Sequence, residues 1–239
     1  MMKKINVISA SIVFVNLFLT SNTQAQYQVL GSEELMNKMR MKVGGNVLDK
    51  VPYKDIKGSP YIFPGFKPAT IITHKDEAVM IPVRYDLYAN EMEVKNESGI
   101  YSIAQPEIIK MIITDSLKFI YCGFTNSSEA VGARKYSYFI LRSEGKCSLL
   151  IKKEIRLQDP EKPKLYQDAR PAEFVFLKDS YYFKIGENAA VRINNKADAL
   201  AVMADKESQA GIFIKENRIN LNKIEDLQKL TEYYNSLDL

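Results

Sequence analysis

Tryptophan is absent from this chain of 239 residues, histidine occurs once and cysteine twice. A Ser-His-Asp or Cys-His device would have to use His74, and nothing around it resembles a nucleophile elbow. His74 reads instead as an exposed residue at a strand end. Zinc sites draw on His and Cys at tight spacing, whereas Cys122 and Cys147 stand 25 positions apart. Acid-rich loops of calcium-site spacing are also missing. The sequence therefore points to no metal and no cofactor. Two cysteines exclude a disulfide-dense miniprotein. With 11 glycines, 9 prolines, 46% hydrophobic and 26% charged residues, the composition also excludes collagen, a coiled coil and a disordered tail, and describes an ordinary globular chain.

No apolar run after residue 25 approaches the roughly 20 residues of a spanning helix, so the remaining chain is read as having no transmembrane segment. The first 25 residues differ. Lys3 and Lys4 precede a mostly apolar stretch, Ile5 to Leu19, and a polar Thr20 to Gln24 leads to Thr23-Gln24-Ala25. That is the order of a secretory signal peptide cleaved near Ala25, with no cysteine there for a lipid anchor. The expectation is an exported protein, periplasmic or extracellular. Cleavage would leave 214 residues and remove two lysines, reducing Lys+Arg from 33 to 31 against 29 acids. No basic stripe remains, so nucleic acid is not an expected partner.

Residues 26–68 read as a helical and irregular lead-in. Ser32 can cap a helix over Glu33 to Lys42, with Leu35, Met36 and Met39 on one side and Gly44-Gly45 ending it. Pro52, Pro60, Pro64 and Pro68 then impose an irregular loop, in which Tyr53, Tyr61, Phe63 and Phe66 are placed to pin the segment onto a sheet.

Residues 69–193 carry the β signal. Ile81, Val83, Tyr85 and Leu87 alternate with Pro82, Arg84, Asp86 and Tyr88, a period of two with one apolar face. Pro82 marks this strand as an edge or a bulge. Met92 and Val94, then Ile100 to Ile103, continue a meander. Further strands are expected at Ile108 to Thr114, Leu117 to Phe124, Tyr136 to Arg142, Cys147 to Arg156, Phe174 to Leu177, Tyr181 to Ile185 and Ala190 to Ile193, with Phe174 to Ile185 read as a hairpin. Residues 157–172, rich in proline and charge, form a long loop. Residues 194–239 switch to helical spacing. Asn195 caps a helix over Lys196 to Lys206, Ser208 to Asn217 is a second, and Asn222 with Glu225 suggests a capping box before a third. The fold class is α+β: an antiparallel, meander-rich sheet followed by a small helical unit on the same domain.

Few residues offer chemistry. Cys122 and Cys147 could form a disulfide in an oxidising compartment or remain buried thiols; a meander would leave a strand between them. Asp86, Glu91, Glu93 and Glu97 could supply paired carboxylates, but they read first as acids on a solvent face. Arg84, Asp86 and Tyr88 line the polar side of one strand and could meet a partner strand or ligand if that strand is an edge; the plainer reading is a solvated face with a local ion pair. With no catalytic residues assigned, the expected role is a non-enzymatic exported protein that binds a protein, peptide or envelope component. An envelope polymer hydrolase using acids gathered by the fold, or an inhibitor or immunity protein, are the alternatives.

Several segments carry a resemblance: Gly58-Ser59-Pro60-Tyr61, the run Val83 to Tyr88 followed by Glu91-Met92-Glu93, Tyr136 to Lys153, and Glu225 to Leu237. With the leader, they resemble a family of uncharacterised secreted proteins of Bacteroidetes-type bacteria. The resemblance implies an envelope location and supplies no site residue.

Overall fold

In a computed structural model, the described residues are 28–29, 34, 37, 42–43, 53, 56–125, 135–163 and 168–237. The leader lies outside them, as does most of the helix expected over Glu33 to Lys42. Glu34 and Asn37 are helical, but Lys42 belongs to a strand.

The fold is α+β and mostly sheet, more curled than a simple meander. In chain order, the strands are β1 (Gln28–Val29), β2 (Lys42–Val43), β3 (Lys67–Thr73), β4 (Glu77–Asp86), β5 (Glu91–Asn96), β6 (Gly99–Ser102), β7 (Ile109–Thr114), β8 (Lys118–Thr125), β9 (Lys135–Ser143), β10 (Cys147–Lys152), β11 (Ile155–Gln158), β12 (Glu173–Phe176), β13 (Ser180–Ile185) and β14 (Ala190–Arg192). The α-helices of the C-terminal unit are α1 (Lys196–Val202), α2 (Glu207–Glu216) and α3 (Ile224–Ser236).

The main sheet runs β14-β13-β10-β9-β8-β7-β3-β4-β5-β6-β2. Its two halves curl in different ways. At one end, Ala190 and Val191 of β14 pair in parallel with Phe124 and Thr125 of β8. This closes β8, β9, β10, β13 and β14 into a ring around Phe124, Phe139, Leu150, Tyr182 and Ala190. In the other half, β4 and β9 are separated by β7, β8 and β3. A flat sheet would hold them about 19 Å apart, at roughly 4.8 Å per strand. Instead the Tyr85 and Tyr138 rings lie 5.3 Å apart. The sheet therefore wraps its Ile71, Ile81, Val83, Met92, Ile112 and Phe119 face into a second core. β8 and β9 serve both cores: Phe119 and Ile140 face one, Phe124 and Phe139 the other. Period-two alternation makes this sharing possible.

The strand containing Pro82 is not an edge, because β3 and β5 pair with β4 on opposite sides. Pro82 faces Pro68 across the ladder. Two residues without N–H can oppose each other only at a non-hydrogen-bonded site, where both missing donors point away from the pair. On the far side of β4, Pro82 falls between the residues paired to β1 (Glu77, Ala78) and those paired to β5 (Val83 to Asp86). Pro68 lies just outside the β3–β7 ladder. Neither proline breaks a ladder bond.

The strand expected from Cys147 to Arg156 is broken at Lys153-Glu154, and the hairpin expected over Phe174 to Ile185 does not form. β11 leaves the main sheet and pairs with β12, while β13 pairs with β10. The crossing is tied by the Leu177 N–H donating to the Glu154 carbonyl and by Lys153 holding both Asp179 oxygens at 2.9 and 2.8 Å.

The helical unit covers the other face of β10 and β13. Cys147, Leu149 and Phe183 meet Ala199, Met203, Ala210, Leu227, Leu230 and Tyr234. Asn195 caps α1 as expected, in a full capping box with Asp198. The box expected at Asn222 is absent: α3 begins after Lys223 without a side-chain cap. Asp226 accepts from the Asn220 N–H instead. The Asn235 side chain extends the sheet, its Oδ1 accepting from the Cys147 N–H at 2.8 Å and its Nδ2 donating to the Cys147 carbonyl at 3.1 Å.

Candidate functional site

The strand positions of Arg84, Asp86 and Tyr88 place them together, but beneath a cover. Arg84 lies opposite Glu93 on β5. Its Nε and Nη2 donate to Glu93 Oε2 at 2.9 and 2.6 Å, and the two side chains are only 17% and 4% exposed. The guanidinium lies 3.7 Å from the Tyr61 ring centre and 4.5 Å from that of Phe66. Asp86 is fully buried; it accepts from the Tyr53 hydroxyl at 3.1 Å and from the Ala89 N–H at 2.9 Å. Tyr53 packs edge-on against Tyr61, Tyr88 and Phe174. Burial, then the Asp86 charge and hydrogen bond, push the Tyr53 phenol well above its ordinary range. Burial and the Glu93 charge push Tyr61 up to about 12.

This face is not solvated, and its strand is not an edge open to a partner. The lead-in segment lies across it, tied by Ile62 N–H to Tyr85 carbonyl and Leu87 N–H to Pro60 carbonyl. Tyr61 and Phe66 do pin the segment, and their main target is Arg84. A buried ion pair stacked on aromatics fastens the cover; Tyr88 remains partly exposed at its rim. Asp86, Glu91 and Glu93 do gather on one face. Each is held by a fixed group, Glu91 by the Ser102 hydroxyl at 2.7 Å. No group of three or more His, Cys, Asp or Glu among the described residues could hold a metal ion.

Cys122 and Cys147 are both free. The strand expected between them is β9. The thiols also belong to different cores, Cys122 beside the ring and Cys147 under the helices. Burial raises them to about 11 and about 12 respectively, so both are inert thiols rather than nucleophiles. His74 is exposed at the β3–β4 turn, as expected.

The more open site lies where the two curled halves meet. Asn90, in the turn after β4, has φ +54°, a left-handed conformation that asparagine tolerates. Its Oδ1 accepts from the Tyr85 hydroxyl and the Ser137 hydroxyl, each at 2.8 Å, and its Nδ2 donates to the Tyr136 carbonyl. These bonds hold β4 against β9. Beside them opens a half-open cavity of about 460 Å³ with Leu87, Tyr136, Lys153 and Ile155 on its walls. Tyr136 is 51% exposed at its mouth and stacks on Tyr121. Lys153 also lines a second cavity of about 370 Å³, with Leu117, Ile140, Arg142 and Ile151. Tyr136 lines the first cavity and Arg142 the second; they stand six residues apart on β9, about 20 Å at roughly 3.4 Å per residue, and Lys153 lines both.

Sequence reasoning did not reach this site. Tyr136 reads as one more alternating aromatic, Ala89-Asn90 reads only as a turn, and the approach of β4 to β9 leaves no local signal. No protein-family model, curated protein or solved structure matches the chain.

Proposed function

We propose that this is an exported, non-enzymatic protein that binds a protein or peptide at the seam between its two curled halves. The observation that carries the reading is the pair of half-open cavities meeting at Lys153, with the exposed Tyr136 at one mouth. An exposed aromatic beside a concave surface of mixed polar and apolar groups supplies the kind of anchor on which polypeptide recognition depends. The leader-like residues 1–25 support export, and no helix among the described residues is long and apolar enough to cross a membrane.

A photo-cross-linking amino acid placed at position 136 tests the reading against one at Met80, which is 77% exposed on the opposite face of β4 from Tyr85. Irradiation in the exporting cell is expected to give a discrete polypeptide adduct from position 136 and none from position 80. The same adducts from both positions, or none from either, contradict it.

A further inference from the structure

We infer that the seam selects an acidic, extended peptide segment; this rests on the binding reading above and names its partner class. The first observation is charge. The walls of the two cavities carry five cations, Lys118, Lys135, Arg142, Lys152 and Lys153, and three anions, Glu144, Glu154 and Asp179. Without its first 25 residues the chain is nearly balanced, at 31 cationic and 29 acidic side chains, so the cationic excess of the seam is as large as that of the whole chain.

The second observation is where that charge can be reached. Lys153 is tied to Asp179 and Lys152 to Glu154. Lys118 and Arg142 are exposed at the mouth of the smaller cavity. Glu144 is exposed there too, which leaves the cations in excess by one at that mouth. A cationic rim steers an acidic partner and weakens with salt.

The third observation is shape. Tyr136 and Arg142, one on the wall of each cavity, are about 20 Å apart along β9, the length of about six extended residues. A helix would need about thirteen residues to cover the same distance. An extended segment can place side chains in both cavities and pass over Lys153, which lines both.

Fluorescence anisotropy with two labelled hexapeptides, alternating Glu-Leu and alternating Lys-Leu, tests the assignment on the chain lacking residues 1–25. The acidic peptide is expected to bind at least tenfold more tightly than the basic one and to weaken severalfold from 50 to 300 mM salt. Lys118→Glu with Arg142→Glu is expected to remove at least tenfold of that affinity; both positions are exposed, so the fold is retained. Equal binding of the two peptides, or a charge-reversed variant that binds the acidic peptide as tightly as the parent, overturns the assignment. If neither peptide binds while position 136 still cross-links a polypeptide, the acidic class is wrong and the binding site stands. If cross-linking fails as well, both fall.

Discussion

Replacing Arg84 by methionine is expected to destabilise the protein by about 3 kcal/mol. The substitution keeps an unbranched apolar stem but removes both hydrogen bonds to Glu93 and the stack on Tyr61 and Phe66. Removing one partner of a buried ion pair costs about 3–5 kcal/mol, because the remaining charge stays in a low-dielectric site. Glu93 is 4% exposed and fits that case; Arg84, at 17%, retains some water, which places the effect at the lower end. For a chain of this size each kcal/mol moves the midpoint by about 2–4 °C, so calorimetry should show a fall of about 6–12 °C. Arg84→Met with Glu93→Leu should recover at least half the loss, since apolar replacement of a whole buried pair is often neutral. Hydrogen exchange should quicken in residues 56–66, whose fastening to the sheet is lost. A single substitution costing less than about 1 kcal/mol, or a double variant worse than the single, would refute the reasoning.

Other outcomes follow from the same geometry. Tyr138→Phe should leave stability unchanged or raise it by about 1–2 kcal/mol in urea unfolding, because the buried Tyr138 hydroxyl has no hydrogen-bond partner and its desolvation is uncompensated; a loss above 1 kcal/mol would show that the hydroxyl is satisfied. Hydrogen bonds from Lys146 at 2.6 Å and from Tyr234 at 2.7 Å hold the Asp205 carboxyl below its ordinary value. A depressed carboxyl contributes stability above its unfolded pKa of about 3.9, which is lost as pH falls through the folded value. The deficit of Tyr234→Phe relative to the parent should therefore be present at pH 6 and shrink towards pH 2; a deficit independent of pH would contradict this coupling. Thiol labelling of the unfolded, unreduced protein should find both Cys122 and Cys147 free, whereas finding neither would establish a bridge.

The strands were legible wherever alternation was strict. Ile81, Val83 and Tyr85 face the core as their spacing predicts, and Leu227, Leu230 and Tyr234 dock the last helix by their helical spacing. Closure was not legible. The ring depends on a parallel match of two residues each from β14 and β8, about 65 positions apart, which leaves no local pattern. The break at Lys153-Glu154 was hidden because β11 continues the apolar alternation of β10 and only its pairing partner changes. Arg84 and Asp86 show a different limit. Alternation assigns them correctly to the face away from the core, but a polar face need not be a wet one. Tyr61 and Phe66 signalled a pinned segment, and the cation they stack on, Arg84, lies elsewhere in the chain. Asn90 was legible only as a turn residue, because its further role comes from tertiary approach: one side chain joins β4 to β9 beside the larger cavity.

A hydrogen-exchange footprint of the acidic hexapeptide on the chain lacking residues 1–25 tests the central claim most directly. Protection is expected to be confined to residues 87–90, 116–118, 135–144 and 151–155, which border the two cavities. Protection centred on the covered Arg84–Glu93 face or on α1 to α3, with none along Lys135–Ser143, would contradict it.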